Sequence, residues 1–169
     1  MEHKKEISLN DAPVLAKAKK DALRLLSFRA RSTAELRSRL LRRRYEKETV
    51  EKAIGYFSGR GFLDDEKFAK LYALSRLQSR PSGKTQIAFD LKNKGVPGAV
   101  ISRVLDSLED FDEKQIALDT AVKRHKTMGR LPENVSKARL YGFLKRRGFT
   151  SEAVFFALAR LYRRTENFE

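Results

Sequence analysis

The sequence predicts an all-α protein: three tandem three-helix modules forming an elongated, curved helical repeat. Three observations carry this. Leu36, Leu40, Arg44, Tyr45, Val50 and Ile54 recur in the same frame as Ile87, Leu91, Gly95, Val96, Ile101 and Leu105, and again as Leu140, Leu144, Gly148, Phe149, Val154 and Leu158. Each copy has an apolar helical stretch before it, at Ala22 to Phe28, Phe68 to Leu77 and Ile116 to Val122. No stretch reads as a strand. Units that recur in this way bury faces against their neighbours rather than around one central core.

The clearest copy runs from Arg80 to Leu105. Pro81 to Gly83 break the chain, Ile87 and Leu91 share one helical face, and Lys92 and Lys94 crowd the last turn before Gly95. A residue without Cβ takes the left-handed cap conformation there at little steric cost. Pro97 suits the first turn of a second helix, whose apolar stripe is Val100, Ile101, Val104 and Leu105. The unit is a helical hairpin.

Taken in order, residues 1–13 read as a mobile tail. A first helix is expected from about Val14 to Arg29, with Leu15, Ala18, Ala22, Leu25, Leu26 and Phe28 inward. Ser32 and Glu35 make a capping box that starts the second helix, which holds Leu36, Leu40 and Leu41. Arg44 stands where the other copies have Gly95 and Gly148, so it accepts a left-handed conformation at about 1–2 kcal/mol or reshapes the turn. The third helix, about Glu46 to Gly59, carries Val50, Ala53, Ile54 and Phe57 and completes module 14–63.

Gly61, Phe62 and Leu63 close that module, the two apolar residues as plugs for the seam, and Asp64, Asp65, Glu66 and Phe68 open module 64–108. Asp64 is placed to cap the next helix and Asp65 and Glu66 to meet its positive end. Module 109–169 opens alike at Asp112 and Glu113, has a longer link with Gly129 and Pro132, and starts its last helix at Thr150. Arg163 to Glu169 are expected to fray.

Of the 169 residues, 37 are Lys or Arg and 22 are Asp or Glu, a net charge of +15 that calls for a polyanion or an acidic protein surface as partner. The absence of cysteine excludes disulfides and thiolate chemistry and suits a reducing cytoplasm. No apolar run reaches membrane-spanning length. Ser82-Gly83-Lys84-Thr85 lacks the spacing of a phosphate loop, no Ser or Thr has a His–acid pair, and His3 and His125 read as isolated surface residues. No catalytic residue, metal site or cofactor is expected. Asp64, Asp65 and Glu66 read as helix-capping residues rather than metal ligands.

The binding candidates are therefore basic. Arg42 and Arg43, Lys92 and Lys94, and Lys145, Arg146 and Arg147 occupy matching last turns, and Lys84 opens the middle hairpin. Cations at helix C-termini need no partner, but the first 63 residues hold 16 basic against 8 acidic residues. Arg29, Arg31, Arg37, Arg39, Arg42 and Arg43 exceed what capping requires. Phe62, Phe68, Tyr72, Phe143 and Phe149 fall on apolar stripes and read as core and seam residues rather than base-stacking platforms.

The chain resembles the RecX family of bacterial recombination regulators. The resemblance rests on Gly61-Phe62-Leu63-Asp64-Asp65 with Phe68-Ala69, on Arg80-Pro81-Ser82-Gly83-Lys84 with Ile87, Leu91, Lys94 and Gly95, and on the three modules from about Lys20 onward. It implies a monomeric, cytoplasmic protein that lies in the groove of a RecA filament on single-stranded DNA. Such a protein is not an enzyme: it opposes filament growth and lowers RecA's ATPase and strand exchange. The rival expectation is a stand-alone DNA-binding protein that uses one hairpin as a helix-turn-helix.

Overall fold

The structure is a computed structural model in which residues 11–108 and 111–165 are described. Among them are nine helices and no strand: α1 (Asp11–Phe28), α2 (Thr33–Arg42), α3 (Lys47–Ser58), α4 (Asp65–Ser79), α5 (Lys84–Asn93), α6 (Gly98–Asp106), α7 (Glu113–Lys126), α8 (Glu133–Arg146) and α9 (Ser151–Thr165). Two terminal expectations change. Asp11 to Pro13 belong to α1, because Asp11 to Phe28 form one continuous helix, and α9 runs on through Thr165. The rest of the expected tail, residues 1–10, and residues 166–169 lie outside the described residues.

Each group of three helices encloses its own core. Helix pairs α1 and α3, α4 and α6, and α7 and α9 pack against each other, and α2, α5 and α8 complete the three groups. The repeat pairs Leu36 and Leu40, Ile87 and Leu91, and Leu140 and Leu144 are all fully buried. Burying one such side chain contributes about 1.5–3 kcal/mol, so each hairpin is anchored mainly through two residues one helical turn apart. Leu63 fills the first core and Phe111 the second, each just ahead of the N-cap aspartate of the following helix. Phe62 does not share this role. It is 60% exposed, edge-on to Phe57 at 6.1 Å, because Gly61 turns the chain with φ 72° and only the next side chain points inward. Phe28 is also exposed, at 75%, since it is the last residue of α1 and projects beyond the first core.

Helix faces pack within the modules; between modules only helix ends meet, and they meet in the same way twice. The Thr33 amide donates to Asp65 Oδ1 at 2.8 Å, and the equivalent Lys84 amide donates to Glu113 Oε1 at 3.1 Å. The Ser32 hydroxyl donates to the Lys94 carbonyl, and the equivalent Gly83 amide donates to the Arg147 carbonyl at 2.9 Å. The starts of the first two hairpins thus dock on the first helix and the hairpin end of the next module. Asp65 and Glu113 are junction residues as well as first-turn carboxylates.

This docking explains which hairpin ends are glycine. Arg44, Gly95 and Gly148 all take positive φ, 64°, 74° and 75°. A Cβ on Gly95 would overlap the Ala34 side chain, and one on Gly148 would sit 2.6 Å from Gln86 Cβ. No module precedes the first among the described residues, so Arg44 meets only the conformational cost. Its side chain stands in solvent.

Candidate functional site

No helix among the described residues is long and apolar enough to cross a membrane, and no group of three metal-ligating side chains converges there. The acidic opening of the second module is used for hydrogen bonding to the backbone. Asp64 accepts from the amides of Glu66 and Lys67 at 2.9 and 3.0 Å, and these amides, that of Lys67 foremost, hold its carboxyl below the usual aspartate range. His125 is half-buried rather than on the surface. Its Nδ1 lies 3.2 Å from Ser136 Oγ, its ring meets Tyr162 edge-on, and the Tyr162 hydroxyl bonds Ser136 at 2.7 Å. The longer link brings α8 back with one extra turn, which carries Ser136 inside the helix and over this cluster.

The basic residues divide by what they touch. Arg29 is forked onto Glu35 at 2.9 and 3.1 Å, inside the capping box, and Lys94 reaches the same carboxylate at 3.5 Å from the next module. Burial pushes Glu35 up, but the hydrogen bond from Arg29 and the charge of Lys94 outweigh it and hold it low. Arg37 is bound to Glu51 at 2.6 Å, and Arg43 to Asp21 at 2.6 Å, where the Tyr45 hydroxyl also donates at 2.8 Å. Arg31 donates to the Leu25 carbonyl at 3.0 Å. Burial and the nearby Arg29 charge lower its pKa. Lys84 lies over Phe111 and Lys145 reaches Ser151. Arg29, Arg31, Arg37, Arg43 and Lys94 thus hold the frame.

A smaller set has no hydrogen-bonded or ionic partner among the described residues: Arg39, Arg42, Lys92 and Arg146, each exposed and each in the last turn of a hairpin's first helix. The first module's arginine density therefore overstates its free charge, because its carboxylates take up three of the six arginines. Sequence reading also passed over a group at the second junction. Arg80, Lys123 and Arg124 gather with Arg147 around a cavity between α4, α7 and α8. The signal was present in the four consecutive basic residues that end α7, Lys123 to Lys126.

Other proteins share this arrangement. Residues 18–57, 64–105 and 112–158 match the families described as the first, second and third three-helix domains of RecX. A regulatory protein RecX from Chlorobium limicola is 34% identical over 141 residues, covering 83% of this chain and 87% of that one. One from Mycolicibacterium smegmatis is 36% identical over 142 residues, covering 82% and 76%. The crystal structure of RecX from Lactobacillus salivarius superposes with a TM-score of 0.79 at 17% identity, over 89% of this chain and 97% of that one. With all three domains matched in order and more than 30% identity across most of the length of such relatives, the chain belongs to the RecX family of regulatory proteins.

Proposed function

We propose that this protein regulates homologous recombination and DNA repair by binding the RecA filament on single-stranded DNA and inhibiting its growth, ATPase and strand exchange. The reading takes residues 14–63, 64–108 and 109–169 as three units of a cytoplasmic monomer that performs no catalysis itself. Its main support is the row of uncompensated cations at successive hairpin ends, Arg39 and Arg42, Lys92, and Arg146, on a frame of the RecX family. Placed at repeating positions along a serial array, such charges match a polymer whose own acidic groups repeat. Lys84 and Lys145 flank the row. Arg29, Arg31, Arg37, Arg43, Lys94 and Arg147 serve it by fixing the helices.

The test is RecA ATPase on single-stranded DNA, titrated with this protein and with an Arg39→Glu/Arg42→Glu variant. Both side chains are exposed, so the variant folds. Inhibition should weaken at least tenfold. Undiminished inhibition would remove the hairpin ends as the contact surface. Substituting Arg43 instead would be uninformative, since a glutamate there would face Asp21. DNA binding without RecA, with a steep salt dependence and no effect on the ATPase, would favour the stand-alone DNA-binding reading.

A further inference from the structure

The cavity of about 420 Å³ at the junction of the second and third modules differs from every other basic cluster in the molecule. Gln78, Ser79, Arg80 and Pro81 form one wall, from the end of α4 and the turn after it. Thr120, Lys123, Arg124 and Thr127 form the second, at the three- and four-residue spacing that puts them on one face and end of α7. Phe143 and Arg147, four apart near the end of α8, form the third. The guanidinium groups of Arg124 and Arg147 lie 5.4 and 4.7 Å from the Phe143 ring centroid, which holds both in place. Arg147 also donates through Nη1 to the Pro81 carbonyl at 3.0 Å, leaving other N–H groups of its fork for a ligand.

Elsewhere Arg29, Arg43 and Arg76 find carboxylates in Glu35, Asp21 and Asp90, while the partly buried Arg31 stands alone on the Leu25 carbonyl. Here no acidic side chain lines the cavity. Burial, followed by the charges of Arg80, Arg124 and Arg76, pulls the Arg147 guanidinium below its ordinary pKa, as expected of cations gathered without a counter-charge. A second, independent observation is Thr120. It is 6% exposed, lines the cavity, and its Oγ1 has no hydrogen-bond partner. A buried hydroxyl of this kind is normally satisfied.

We propose that this pocket binds a phosphate group of a nucleic-acid strand, with Arg80, Lys123, Arg124 and Arg147 as its cationic ligands. Guanidinium forks aimed from three walls suit a tetrahedral oxyanion better than a planar carboxylate. Ser79, Arg80, Lys123 and Thr127 are exposed at the rim, so a phosphate still joined to a chain can enter. The proposal rests on the function given above only in the choice of polyanion.

The experiment uses the whole protein without RecA, so that its outcome is separable from filament inhibition. Fluorescence anisotropy with labelled single-stranded DNA across a chloride series compares the protein with Arg80→Gln/Lys123→Gln and with a control, Lys52→Gln/Lys67→Gln, that removes the same charge from lysines paired to carboxylates. The pocket variant should bind about tenfold more weakly, with a log–log salt slope shallower by about one to two, while the control stays within about twofold. In parallel, inorganic phosphate should raise the thermal midpoint above that in chloride at equal ionic strength, and should do so less in the pocket variant. Equal losses in variant and control, or unchanged affinity in the variant, would overturn the proposal. A phosphate effect without a DNA effect would overturn the strand and leave a small-oxyanion site.

Discussion

At the scale of single residues, the three left-handed hairpin ends are alike in backbone conformation and different in energetics. Arg44 has only the conformational penalty of about 1–2 kcal/mol, since nothing docks against it among the described residues. Arg44→Gly should therefore gain most of that in urea denaturation, reduced by the larger chain entropy of glycine. Gly148→Ala should lose more than Arg44→Gly gains, about 2–4 kcal/mol, because the same penalty is joined by overpacking against Gln86. Equal and opposite effects at the two sites would argue against close docking of the modules. The sequence alone showed that Arg44 departs from the repeat. Why it is permitted there became clear only from what stands beside Gly95 and Gly148.

At the scale of elements, helix starts and helix pairs are held by carboxylates whose pKa values lie low for different reasons. Asp64 is held down by backbone amides, and Asp21 by hydrogen bonds from Arg43 and Tyr45. For Asp90 and Glu35, burial pushes upward, but their arginine partners, Arg76 and Arg29, and the other donors to them win. Each is below its ordinary 3.8 or 4.5, so each binds protons more readily unfolded. That stability is complete above the unfolded values and is lost as pH falls through the folded ones. Tyr45 and Tyr72 shift the other way. Burial, then bonding to Asp21 and Asp90, raises them above 10.0, and their contribution disappears only at more alkaline pH. The urea midpoint should fall steadily below about pH 4 and again above about pH 10. An acid limb unchanged in Asp90→Asn would mean the Arg76–Asp90–Tyr72 cluster contributes nothing.

At the scale of the whole molecule, three separate cores joined by helix ends make stability a sum of module and junction contributions. Leu91→Ala removes a fully buried side chain from the second core and should cost about 2–5 kcal/mol. Hydrogen exchange should show the loss of protection concentrated in α4 to α6, smaller in the flanking modules. A uniform loss across all nine helices would indicate a single cooperative core. The same layout spreads the free cations along the array instead of focusing them in one cleft, and the pocket beside Arg147 arises where two modules close on each other.

The helix order, the capping box at Ser32 and Glu35, the buried pairs from Leu36 to Leu144 and the left-handed turns were legible because each is a local matter: periodicity, a cap, a residue without Cβ. The family was legible for the same reason, in short motifs at fixed spacing. What only the tertiary structure decided was which charges are free. Asp21, Glu51 and Asp90 lie 14 to 22 residues from the arginines they neutralise, and Arg80 and Arg147 are brought together from different modules. Whether a charge is satisfied depends on distances of a few ångströms between segments remote in the chain, and no pattern along the sequence records those.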